Sequence, residues 1–150
     1  MAHVELSLAG PAAAPRPDLA REPHPALERW ASVAVDAGEP CLVLDAGTTV
    51  IAVSPSAAAL TGILDPVAAQ GRRLRDVMAP LLDFTAAASP LEECEADRIP
   101  PLLAISSGLM ARGLIRVAAP GARPVTLDAI STPLADGLAV VGSLTFFAKI

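Results

Sequence analysis

The stretch CLVLDAGTTVIAVSPSAAALTG, residues Cys41 to Gly62, decides the fold. Cys41 to Asp45 and Val50 to Ser54 are β-rich runs, and Ala46, Gly47 and Thr48 between them suit a tight hairpin connection. Ser54 or Ser56 then caps a short helix, Ala57 to Leu60, which Gly62 closes. A hairpin that hands straight over to a helix is the expected opening of a small mixed fold.

Outward from this segment, the bounds are set by size and charge. With 150 residues, the chain fits one domain with a sizeable core. Apolar residues make up 53% and mean hydropathy is +0.51, yet no uninterrupted apolar run approaches the ~18 residues that cross a bilayer. The start, MAHVELSLAG, lacks the basic leader and continuous apolar stretch of a secretory signal, so a cytoplasmic location is expected. A formal charge of -5 repels phosphate backbones and anionic membranes, so neither nucleic acid nor membrane is an expected partner. Arginine dominates over lysine and alanine abounds, which has the look of GC-rich bacterial coding.

Residues 1–23 are Ala/Pro-rich, with Pro11, Pro15, Pro17 and Pro23 breaking any period, and are expected to form a disordered tail. Over residues 24–37, Pro25 suits a first helical turn, and Leu27, Trp30, Ala31 and Ala34 recur at helical spacing until Gly38. Residues 65 to 83 read as one or two short helices, and Glu92, Glu93, Glu95 and Asp97 as a solvated connector. Pro100 and Pro101 open a longer helix, Leu102 to Arg112. The last third reads as three strands, Leu114 to Ala118, Val125 to Thr132 and Leu138 to Phe147, with an Asp136-Gly137 turn as a strong hairpin signal. Helices between two hairpins have to cover a sheet face, so the first pair of strands is expected beside the last strand.

This layout resembles the PAS family from about residue 39 to residue 150. The Asp45 to Gly47 turn, the Ser54 to Gly62 helix start and the stretch Gly71-Arg72-Arg73-Leu74-Arg75-Asp76-Val77 carry the resemblance. Ser54 stands where that family often has asparagine, so a polar cap is kept. The resemblance implies an α+β fold: a PAS-like five-stranded antiparallel sheet with helices on one face. The N-terminal helix is expected on the outer sheet face or on a partner subunit. It also implies a non-catalytic sensory or protein-interaction module, with a small apolar ligand held between sheet and long helix or a fully packed core there. The pocket candidates are Met78, Leu102, Ile105, Leu109, Val117, Leu127, Ile130, Leu144 and Phe146. An interaction surface of a homodimer is expected at Leu27, Trp30, Ala31, Ala34, Val141 and Phe147, with output delivered to a protein partner in trans.

Chemistry finds little foothold. Both histidines, His3 and His24, precede the fold, which disfavours haem, and arginines follow Gly71 where the family's light sensors place an adduct-forming cysteine, which disfavours that flavin chemistry. No cofactor and no metal are expected. Cys41 and Cys94 lack metal-ligand spacing and read as free thiols, Cys94 as an inert one among acids. The consecutive acids lack the alternating ligands and turn glycine of a calcium loop. Arg72, Arg73 and Arg75 read as a solvated basic face or as a site for an acidic partner or a phosphate. The alternative from another class is a small cone-shaped isomerase or hydrolase using a desolvated base among Asp45, Asp83 and Asp128. A profilin-like or roadblock-like scaffold shares the layout and differs chiefly in strand order.

Overall fold

The computed structural model describes residues 24–119 and 121–150, so the tail expected over residues 1–23 lies outside the described residues. Helix α1 (Pro25–Val35) leads into the hairpin of β1 (Cys41–Asp45) and β2 (Val50–Val53). Next come α2 (Pro55–Thr61), the short helices α3 (Pro66–Ala69) and α4 (Leu74–Val77), and the two-residue strand β3 (Leu81–Leu82). After α5 (Glu93–Ala96) and α6 (Pro100–Ser107), the strands β4 (Ala111–Val117), β5 (Val125–Asp136) and β6 (Ala139–Lys149) follow. All six strands form one antiparallel sheet in the order β2-β1-β6-β5-β4-β3. The two terminal hairpins therefore meet at β1 and β6, where Cys41 pairs with Phe146 and Asp45 with Gly142.

The opening segment folds for local reasons. Asp45 Oδ1 accepts from the backbone N–H groups of Gly47 and Thr49, both at 2.9 Å, and fixes the hairpin turn. Ser54 is fully buried. Its Oγ accepts from Ala57 N to cap α2 and from Cys41 N at 3.0 Å, and donates to the carbonyl of Glu39, tying the start of β1 to the helix. Gly62 ends α2 with φ +74, a left-handed conformation that favours glycine.

Two layers cover the sheet. On the inner face α2 and α6 close a core of Leu42, Leu44, Val53, Leu74, Ile115, Leu127 and Phe147. On the outer face α1 packs in cis: Leu27 and Ala34 are buried and Ala31 half-buried against Cys41, Val43, Ala52, Leu134 and Leu144. Its N-cap, His24, accepts from Ala26 N through Nδ1 and meets Asp136 Oδ2 through Nε2 at 2.7 Å, pinning the helix to the end of β5.

Among the described residues the sheet has six strands rather than the five expected. Leu81 and Leu82 pair with Val117 and Arg116 before Asp83 turns the chain away, too briefly to leave a period-2 signature. The long helix spans Pro100–Ser107, not Leu102 to Arg112, because Gly108 takes φ +68 and ends it. The acidic connector holds a single helical turn, α5. The expected Asp136-Gly137 hairpin forms with Gly137 and Leu138 as its connection.

One irregularity reassigns the faces of β6. Leu134 pairs with Gly142 and Ala135 with Val140, leaving Val141 as the extra residue of a bulge. Strict alternation puts Val140, Leu144 and Phe146 inward and Val141, Thr145 and Phe147 outward. The bulge inverts this beyond Val141, since a one-residue slip exchanges the faces. Phe147 therefore lies in the inner core, while Leu144 lies under α1 and Phe146 is exposed on the outer face. Ile130 is also outward, three positions from the inward Leu127 on β5.

Candidate functional site

Between the β1–β2 turn, α4, α5 and α6 lies an open cleft of about 640 Å³. Leu102 and Ile105 of α6 contribute apolar lining. Thr48, Arg73, Arg75, Asp76, Glu93, Asp97 and Ser106 supply its polar lining. Arg75 Nη1 donates to Asp97 Oδ1 at 2.9 Å and lies 3.9 Å from Glu93 Oε1, so one guanidinium ties α4 to α5 across the cleft. Arg73 belongs to the bridge with Thr49 that holds the 71–74 segment against β2. The cleft thus offers apolar lining together with charges of both signs, chemistry suited to an amphipathic small molecule rather than a purely apolar one.

The pocket candidates separate into three places. Leu102, Val117 and Leu127 are buried in the inner core, with Ile105 and Met78 half-buried at its margin. Leu109, at 69% exposure, lies beyond the end of α6 and lines no interior space. Ile130, Leu144 and Phe146 belong to the opposite face, for the geometric reasons given above. The interface candidates divide likewise: Leu27, Ala31 and Ala34 are engaged within the chain, with Val141 packed against the same cluster. Trp30 turns away from that stripe and is exposed, as is Val33 beside it. Phe147 is core, not interface.

Polar groups that composition did not flag lie beneath α6. Ser131 and Thr145, directly opposite on β5 and β6, share a hydrogen bond of 2.6 Å, and Ser143 Oγ donates to the carbonyl of Pro101 at 2.9 Å. All three are fully buried. Each falls at an inward position once the bulge is known, which is the signal that could have found them. Ser131→Ala should cost about 1–3 kcal/mol by orphaning the Thr145 hydroxyl, whereas Ser131→Ala with Thr145→Val should cost less than the sum of the single changes. Urea titration of the double-mutant cycle measures this, and additive costs would show that the pair is not coupled.

The aspartates do not make a base. Asp128 accepts from Arg112 Nε at 3.1 Å and Nη2 at 2.7 Å, and the guanidinium holds its carboxyl below the ordinary value. The Thr85 hydroxyl does the same for Asp83, helped by backbone N–H groups of Thr85 and Ser89. Asp45 is occupied by its turn. A desolvated carboxylate with a raised pKa, which the isomerase alternative needs, is found at neither Asp83 nor Asp128. Burial pushes the Cys41 thiol up, the opposite of an activated cysteine.

This geometry defines the fold. No protein-family model and no curated protein matches the chain. Solved structures do. A PAS domain of a protein from Colwellia psychrerythraea has a TM-score of 0.55 at 16% identity, covering 83% of this chain and 96% of that one. A LOV protein of Rhodobacter sphaeroides gives 0.59 at 16% identity, over 83% of this chain and 66% of its own. The VqmA dimer of Vibrio cholerae gives 0.58 at 18% identity, over 85% of this chain and 52% of that one. The chain has a PAS-like α+β fold. It spans about half the length of VqmA. Among the described residues, no helix is long and apolar enough to cross a membrane.

Proposed function

We propose that the chain is a non-catalytic PAS-like sensory and protein-interaction module that works as a homodimer and passes its state to a partner protein in trans. One observation carries the dimer. Helix α1 covers the β1–β2 half of the outer sheet face, and the other half presents Leu114, Ile130 and Phe146 at 52%, 36% and 44% exposure. Ile130 and Phe146 are directly opposed across β5 and β6, so they form a continuous apolar patch, the kind of surface that marks an association site. Trp30 and Val33 add apolar surface on the exposed flank of α1. The likeness to VqmA, itself described as a dimer, supports the reading.

The sensory part of the reading rests on the cleft. VqmA has been captured bound to DPO, and the cleft of the present chain is where a small amphipathic ligand of its own would meet Leu102 and Ile105. No catalytic role is proposed, because the aspartates tested above are committed to structural partners. Neither a cofactor nor a nucleic-acid partner is proposed, the latter because of the charge of -5.

Light scattering tests the dimer. The wild type should have twice the monomer mass, and Phe146→Asp or Trp30→Asp should halve it with the far-UV circular dichroism unchanged. A dimer mass retained in both variants would remove this face from the interface. Native mass spectrometry of freshly purified protein should show a mass excess over the denatured chain, which Ile105→Trp, filling the cleft, should abolish.

A further inference from the structure

The two edges of the sheet are treated differently. At the start of β2 the edge is covered by its own chain: Val50 N donates to Arg72 O at 2.8 Å, Gly71 N to Val50 O at 2.9 Å, and Leu74 N to Thr48 O at 3.0 Å. Along β4 the cover is partial. β3 pairs only with Arg116 and Val117, and the N–H of Ala118 donates to Pro80 O, which sets the even-numbered residues of β4 pointing their backbone groups toward that side. The N–H and C=O groups of Arg112 and Leu114 therefore face outward, and among the described residues no backbone partner meets them there. Asp83 keeps the place vacant: its Oδ1 accepts from Thr85 N, Thr85 Oγ1 and Ser89 N, and turns the chain off the line of β3.

Natural proteins blunt or cover an exposed strand edge, because its unpaired groups are a template for another strand. The other side of β4 shows what strand this edge accepts. On β5, Ile130 lies opposite Arg112 and Asp128 opposite Leu114, with Asp128 reaching diagonally to the guanidinium. Arg112 and Leu114 point to the outer face midway between their two flanks, and both are exposed, Arg112 with 66% of its side chain open. Its Nη1 donors are not used by Asp128. The same acid-x-apolar pattern fits the vacant flank.

We propose that the β4 edge from Ala111 to Ile115 accepts an extended segment of a partner protein by strand addition. The segment carries an acidic side chain toward Arg112 and an apolar one, two residues away, against Leu114. Main-chain bonds to Arg112 and Leu114 supply affinity, and the alternating side chains supply specificity. A second copy of this chain is a poorer occupant. Twofold edge pairing about Gly113 brings two Arg112 side chains into diagonal cross-strand proximity, where like charges repel.

The test uses a synthetic peptide with the sequence of residues 125–132, which carries the pattern, added to the isotopically labelled full chain. Chemical-shift changes should centre on residues 111–115, and the Arg112 and Leu114 amides should exchange about tenfold more slowly at saturation. Replacing the peptide's aspartate by lysine should weaken binding about tenfold. N-methylation at its bonding positions should abolish binding. Leu114→Pro should do the same with the far-UV circular dichroism unchanged, because proline is tolerated where the N–H points out of an edge. Failure of the peptide to shift residues 111–115 at about 1 mM, or equal binding of the N-methylated peptide, would overturn the proposal. Protection of Arg112 and Leu114 that rises with protein concentration in the Phe146→Asp variant, in the absence of peptide, would overturn it too, by assigning the edge to a second copy.

Discussion

Replacing Gly142 by alanine should lower stability by about 3 kcal/mol or more, read as a fall in the urea midpoint. Gly142 lies on β6 where β1, β5 and α1 converge, paired with Asp45 on one side and Leu134 on the other. A Cβ there would collide with the carbonyl of Leu44 and come within 2.8 Å of Leu27 Cδ2. The leucine tip can swing away, but the carbonyl belongs to a fully buried central strand and cannot. The relief available is separation of β1 from β6, the joint between the two hairpins. Gly38→Ala is the control, since nothing lies within 4 Å of its added Cβ and the change should be near neutral. Equal midpoints for the two variants would show that the close approach at Gly142 does not exist in solution.

The second large effect concerns α1. Removal of residues 1–37 should yield aggregated protein, because it uncovers Cys41, Val43, Ala52 and Leu144, a group buried almost completely beneath the helix. Leu27→Ala should reproduce part of that loss, about 2–4 kcal/mol, as expected for a buried leucine. Trp30→Asp, on the exposed flank, should change the protomer's unfolding free energy by no more than about 0.5 kcal/mol while changing the oligomeric mass. Truncation and the tryptophan change are thus not equivalent tests of the interface: one opens the core and the other edits its surroundings. A truncated chain that stays monodisperse with an unchanged midpoint would show α1 to be an accessory.

What could be read from the chain, and what could not, follows from where each signal is stored. The β1 turn, the Ser54 cap, the Gly62 stop and the Gly137 turn are local, and each needs a particular residue at a particular backbone angle or hydrogen bond. The adjacency of the two hairpins followed from the need to cover a sheet face, and strand order agrees. Side-chain direction along β6 was misread because a bulge at Val141 leaves no compositional mark, and every assignment beyond it inherits the slip. That one residue moved Phe147 into the core and Phe146 to the surface. The cleft was hidden for another reason. Its charged rim draws Arg75 and Asp97 together from segments 22 residues apart, which only tertiary packing reveals.

The position of β6 has a consequence for how the molecule comes into being. Among the described residues it is the strand that joins the β1–β2 ribbon to the β5–β4–β3 ribbon, and its partner β1 lies about a hundred residues earlier in the chain. Until β6 docks, the folding chain holds two ribbons with no shared ladder. Closure joins segments about a hundred residues apart, a step of high contact order and correspondingly slow.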